Sequence, residues 1–215
     1  MREAPTRYAG SMNSAGRQRS SAAATSPGRV VDASKFDLAA AERAALDLLR
    51  AIGADVDSPD LLATPRRVAA SLGELVTPAE LGATLFANEG CYEELVVVRD
   101  IDFHTLCMHH LLPFHGQAHV AYLPGERIVG ISKLARVVEA FSRDLQLQER
   151  LTVQIADWLE QELQPRGVGV VLSAEHMCMT IRGVRKPGAR TVTSALRGVL
   201  RDDARTRQEF FSLVG

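Results

Sequence analysis

The sequence predicts an α+β fold built on an antiparallel sheet. Three observations carry this expectation. The periodicities come in blocks: helices, a β unit, two consecutive helices, then a second β unit. A doubly wound sheet would instead alternate strand and helix throughout. Two of the β segments are separated by only a short turn, which joins antiparallel neighbours. And 215 residues with 46% hydrophobic and 24% charged side chains can bury one ordinary core and remain soluble.

The elements follow in order. Residues 1–33 are rich in Ser, Ala, Gly and Arg with few large aliphatics, which predicts a disordered tail. Its Arg- and Ser-rich, acid-poor composition also fits an organellar transit peptide. Residues 34–90 read as a helical region. FDLAAAERAALDLLRAIGAD (36–55) sets Leu38, Ala41, Leu46, Leu49 and Ile52 at helical spacing, with Asp37 as cap and Gly53 as stop. TPRRVAASLGELV opens a second helix, with Thr64 as its cap and Pro65 at the first position. A loop leads to about Cys91.

Residues 91–215 read as a second, sheet-bearing domain. ELVVVRDIDF (94–103) is a β-branched strand. GQAHVAYLP (116–124) alternates, with Ala118, Val120 and Tyr122 on one face. The turn PGE then sends RIVGI (127–131) back as its hairpin partner. Ser132 is expected to cap the helix SKLARVVEAFSRDL, and QERLTVQIADWLEQEL (148–163) is the next helix. GVGVVLSAEHMCMTIRGV (167–184) reads as one long strand or two joined by a bend. TVTSALRG and DDARTRQEFFSLV read as a last strand and a terminal helix.

Composition excludes several roles. The net charge of -1 gives the whole protein no pull toward nucleic acid or an anionic membrane. No apolar run approaches the ~20 residues of a membrane span. The first residues lack the apolar core of a secretory signal. Three widely spaced cysteines are no disulfide framework and suit a reducing cytoplasm.

The chemistry concentrates in two places. Five of the six histidines (104, 109, 110, 115 and 119) fall within sixteen residues, and His176 lies two residues from Cys178. Thiolate plus imidazole is the donor set that Zn²⁺ prefers. Cys107 stands in CMHH (107–110), and a strand through EHMCM would place His176 and Cys178 on one face. Two cysteines and one histidine leave a position open for water, the catalytic rather than the structural arrangement. Spacing alone does not choose between His109 and His110 as the ligand. The histidine left over, and His176, would be available for proton transfer. Cys91 reads as an ordinary thiol, and His104, His115 and His119 as structural histidines. Basic residues supply the second place. Lys133 stands near a helix N-terminus, a natural anion site. Glu149 can accept the paired N–H donors of a guanine edge.

At these residues the sequence resembles the GTP cyclohydrolase I family. The carrying segments are TPRRV (64–68), CMHHLLPFHGQAHVAYLP (107–124), GISKLARVVEAFSRDLQLQERLT (130–152) and EHMCMTIRGVR (175–185), in order and with compatible spacing over about 36–215. The resemblance implies a tunnelling fold (T-fold), with two helices on one side of the sheet, in a homodecamer of two pentamers. It implies hydrolysis of GTP to 7,8-dihydroneopterin triphosphate and formate, the first step of tetrahydrofolate or pterin biosynthesis. It implies a zinc site of Cys107, His110 and Cys178, with His109 and His176 as catalytic histidines and Ser132 assisting the later rearrangement. Gln148 and Glu149 resemble the guanine-recognising pair. Lys133, Arg136, Arg182 and, from a neighbouring subunit, Arg67 resemble triphosphate contacts. A paralogue in a specialised pterin or deazapurine pathway would share the ring-opening step, and a non-catalytic regulatory homologue would not need the intact histidines. Two positions depart from the family pattern: Met108 stands where a glutamate is usual, and Ala70 where a lysine is usual.

Overall fold

Asp37 accepts a hydrogen bond from the Ala40 N–H and opens helix α1, Leu38–Ala51, while Gly53 at φ +83° ends it as expected. The structure is a computed structural model and describes residues 28–78, 80–82 and 84–215. Most of the expected tail lies outside the described residues. Its last part does not: Arg29 donates to the carbonyls of Val76, Ala140 and Arg143, and the Val30 and Val31 N–H groups bind the Asp144 carboxylate. Docked chain therefore begins ahead of the expected boundary at residue 34.

Helix α2, Thr64–Val76, packs against α1. Thr64 is its first residue rather than its cap; Ala63 holds the cap position without a side-chain bond, and Pro65 follows inside the first turn. The loop before Cys91 carries a short strand β1, Leu85–Ala87. Strand β2 runs from Val96 to Cys107, four residues past its expected end, with a bulge between Val98 and Ile101 where Asp100 takes φ +56°. Strand β3, Pro113–Leu123, pairs with it antiparallel, so the hairpin lies between these two.

The expected hairpin at PGE does not form. Strand β4, Arg127–Val129, turns away and pairs with β1 in a separate two-stranded sheet. The reason is occupancy: both edges of β3 are already taken, by β2 and by strand β6, Gly167–His176. Helix α3, Ile131–Ser142, starts directly after Gly130, so Ser132 is its second residue and makes no cap bond. Strand β5, Leu145–Gln146, pairs parallel with the end of β2. Helix α4 spans Gln148–Leu163. The five-stranded sheet has the order β5-β2-β3-β6-β7, where β7 is Arg190–Gly198. It is antiparallel except at β5. The terminal helix is broken into α6, Val199–Asp202, and α7, Ala204–Val214, the latter capped by Asp203.

One face of the sheet carries the main core. Phe114, Ala118, Val120 and Tyr122 of β3 meet Leu134, Val137 and Val138 of α3 and Leu151, Ile155 and Leu159 of α4. The other face is covered in part by Leu200 and Phe210, which bury Ala121 and Val171. Gly116 lets β3 and β6 approach: a Cβ there would stand 2.0 Å from the Ser173 carbonyl oxygen. Gly198 combines φ +55° with a Cβ position 2.3 Å from Arg166 O, so the turn out of β7 requires glycine. No helix among the described residues is long and apolar enough to cross a membrane.

Candidate metal centre

Strand β2 delivers Cys107 at its last position, and the chain reverses before β3 begins at Pro113. Cys107 fastens this turn at both ends. Its N–H donates to Leu112 O at 2.9 Å, and its carbonyl accepts from the N–H groups of His110 (3.2 Å) and Leu111 (2.9 Å). Leu111 takes φ +53°, a conformation disfavoured for a branched side chain. The reversal folds His110 back over Cys107, with Nδ1 3.7 Å from Sγ.

The third donor arrives by another route. Strand β6 stops at His176, and a single helical turn, α5 (Met177–Thr180), carries Cys178. The expectation of one strand face bearing both His176 and Cys178 is therefore corrected. The helical turn separates their directions, and only Cys178 joins Cys107 and His110. The three ligand atoms lie within 4.8 Å of one another, the one such convergence of three or more His, Cys, Asp or Glu side chains among the described residues. Cys107 is buried, Cys178 half-buried and His110 exposed, so the group opens on one side.

The donor set fits a borderline-soft divalent cation such as Zn²⁺. Burial pushes the Cys178 thiol up, the adjacent Cys107 adds to this, and Arg182 opposes it. A bound cation would favour the deprotonated Cys178 against this resistance.

His176 sits beside this group under tight restraint. Its ring stacks on Phe114, centroids 4.4 Å apart and planes 9° from parallel. Its Nε2 lies 2.8 Å from Gln148 Oε1. Burial holds its pKa below the ordinary histidine value, and the Glu149 carboxylate pulls the other way. His109 is exposed and stands edge-on to His110, centroids 6.2 Å apart. Glu175 ties down the loop behind Cys178 by accepting from Thr180 Oγ1 and Gly188 N–H, both at 3.0 Å; these bonds hold its carboxyl below the usual range.

The remaining expected residues are less closely joined. Glu149 is exposed at the second position of α4. Gln148, beside it, is 1% exposed, and its amide is committed within the protein. Successive helical residues diverge by about 100°, so one of the pair points inward and the other out. Lys133 is 8% exposed and has no carboxylate within 4.0 Å among the described residues. Ser132 and Arg136 are exposed on the same helix, Arg67 on α2, and Arg182 after α5. Within one chain no hydrogen bond or ion pair among the described residues joins Arg67, Ser132, Lys133 or Arg136 to the Cys–His–Cys group. Met108 is half-buried, and its N–H donates to Gln146 O. Sequence reasoning missed Phe114, although it shares the period-two inward face of Ala118, Val120 and Tyr122. It also missed Thr193, which no local pattern marks.

The model of the family described as GTP cyclohydrolase I matches residues 41–215. A GTP cyclohydrolase 1 of Aquifex aeolicus is 54% identical over 166 residues, 77% of this chain and 90% of its own length. That of Bacillus pumilus is 52% identical over 179 residues, 80% of this chain and 94% of its own. That of Bacillus subtilis is 53% identical over 174 residues, 78% and 90%. Among solved structures, the archaeosine synthase QueF-Like in the apo form covers 48% of this chain and 93% of its own at 17% identity, with a TM-score of 0.41.

Proposed function

The chain belongs to the GTP cyclohydrolase I family, and we propose that it hydrolyses GTP to 7,8-dihydroneopterin triphosphate and formate with the help of zinc. The observation that carries this is the convergence of Cys107, His110 and Cys178 within 4.8 Å, with His176 and His109 alongside. Those three side chains would hold the ion. Zinc bound there would supply Lewis acidity that activates water at neutral pH.

The chain's own residues supply the rest. His176, held by Phe114 and Gln148, delivers a proton to the purine nitrogen beside the carbon under attack. His109, exposed at the rim, moves protons on the ribose side. Glu149 projects from the first turn of α4 and accepts the N–H donors of the guanine edge. Lys133, nearly buried and without a carboxylate partner among the described residues, offers a cation at the start of α3, where free backbone N–H groups add to the attraction for an anion. Arg136, Arg182 and a neighbour's Arg67 complete the triphosphate contacts. Ser132 assists the sugar rearrangement.

The assembly we propose is a tunnelling-fold decamer of two pentamers in the cytoplasm. Strand β7 is an edge of the five-stranded sheet, and its Val192 is 65% exposed. Helix α1 also leaves Leu38, Leu48 and Ile52 exposed. A nine-residue open edge and an uncovered apolar helix favour association with further copies. The test is direct. Purified protein with GTP and zinc should release formate and yield a product that fluoresces after oxidation. Stoichiometric zinc with neither product would refute the reading.

A further inference from the structure

The Gln148 side chain has a single allowed orientation. Its Nε2 lies 3.2 Å from Leu172 O, 2.9 Å from Thr191 O and 3.2 Å from Thr193 Oγ1. Two of these three partners are backbone carbonyls, which can only accept. Rotating the amide by half a turn would set its oxygen against both. The amide nitrogen therefore faces the carbonyls, and Oε1 faces His176 Nε2 at 2.8 Å. The hydroxyl partners agree. Thr152 Oγ1 donates to Gln148 O at 2.7 Å, leaving Thr193 Oγ1 to donate to Thr152 Oγ1 at 2.7 Å and to accept from Gln148. The two amide hydrogens are shared among these three acceptors, and every bond in the chain runs in one direction.

The consequence falls on His176. An oxygen acceptor at 2.8 Å requires a hydrogen on Nε2, so the neutral ring keeps its lone pair on Nδ1. The stacked Phe114 covers one ring face, and a half-turn of the ring would put Cε1, which is no hydrogen-bonding partner, where Nε2 meets Gln148 Oε1. At 1% exposure Gln148 has no surface and no unused amide hydrogen to offer a base.

We propose that Gln148 is a positioning residue that fixes His176 as its Nε2–H tautomer, so that Nδ1 is the one ring atom that exchanges a proton with substrate, and that Gln148 is not a guanine contact. This rests on the reading of His176 as an acid–base residue. Proton transfer is then balanced at Nδ1: the proton gained there is the proton handed on, and the Nε2–H stays on Gln148 throughout.

The experiment uses the full oligomeric enzyme with zinc and GTP. Gln148→Leu should lower kcat by about 10–100-fold, the usual cost of losing a partner that orients an imidazole, with KM for GTP within about twofold. In a His176→Ala background the same substitution should lower the residual rate by less than about twofold, because the residue it positions is gone. A tenfold rise in KM with kcat intact would make Gln148 a substrate contact and overturn the proposal. Equal losses in both backgrounds would also overturn it. If Gln148→Leu does not fold, Thr193→Val, which removes one acceptor from the amide, should show the same kcat-directed change at about 2–5-fold, scaled to a single hydrogen bond of ~0.5–1 kcal/mol. A readout independent of turnover is the ¹⁵N spectrum of labelled histidine in basic solution. Wild type should show His176 with hydrogen on Nε2, and Gln148→Leu a mixture of tautomers. Hydrogen on Nδ1 in wild type would refute the proposal even where GTP is turned over. A wild type inert toward GTP but with the Nε2–H tautomer would leave the positioning intact and refute the function instead.

Discussion

Asp144 is the residue whose loss should be felt furthest from where it sits. Its side chain is 1% exposed, yet it is a carboxylate. It accepts from Val30 N–H and Val31 N–H, both at 2.9 Å, and from Leu145 N–H at 2.8 Å, with the Arg150 guanidinium 4.0 Å away. Consider Asp144→Ala. Hydrogen bonds to a charged group are worth ~1.5–3 kcal/mol each. The two valine N–H groups can return to water when their segment lifts off, so their share is recovered in part. Leu145 N–H and the half-buried Arg150 head are left behind without the carboxylate. We expect a net loss of about 2–4 kcal/mol in unfolding free energy, near the lower range for breaking a buried pair. Asp144→Asn keeps one acceptor oxygen but turns an amide hydrogen toward Val30 N–H, and should cost about half as much. Urea unfolding followed by fluorescence of Trp158, the single tryptophan, gives the global value at fixed protomer concentration. Hydrogen exchange over residues 29–36 gives the local one, which should reach full exposure in Asp144→Ala. A change below about 0.5 kcal/mol with wild-type protection of that segment would refute the reasoning.

Three further outcomes follow from the site and the sheet. His110→Ala should strip the metal, whereas His109→Ala should keep it and lose turnover; metal content by elemental analysis decides, and the reverse pattern would exchange the two roles. Met108→Glu adds a carboxylate beside the thiol pair, and should lower both kcat and KM for GTP by about 2–5-fold, the range of a partly screened charge at ~0.5–1 kcal/mol; unchanged values would reduce Met108 to packing. His119 Nδ1 accepts the Asp100 N–H at 3.2 Å, and burial holds its pKa low against the pull of Asp100, with Arg99 adding to the depression. The unfolded chain thus takes up the proton first as pH falls below about 6.5, and stability is lost on acidification through the depressed folded value. His119→Gln should lose less stability than wild type between pH 7 and 5.5, and an equal loss would exclude His119 as the source.

Local sequence was enough for much of what depends on a few neighbours, although neither Thr64 nor Ser132 became the cap its position suggested. Asp37 and Gly53 bracket α1 because a cap and a left-handed stop act within one turn. The residue types of the Cys–His–Cys group were legible because soft donors beside imidazoles have few other uses, and the resemblance then chose His110 over His109. Pairings that close over long stretches were decided by the tertiary structure. Strand β4 left β3 for β1 because β6, some forty residues later, had taken the free edge of β3. The break at His176, which sends Cys178 to the thiol pair and His176 to Gln148, depends on contacts with β2, β3 and α4 that no local period encodes. Gln148 and Glu149 read as a pair in the sequence; only burial against β6 and β7 shows that one faces inward and the other out. Arg29 to Val31 lack the apolar content that marks an ordered segment, and are ordered by Asp144 and three distant carbonyls. The sequence determined which chemistry the chain carries, because side-chain type is local. The fold decided which atom of each side chain is left free to perform it, because hydrogen-bond partners are drawn from everywhere in the chain.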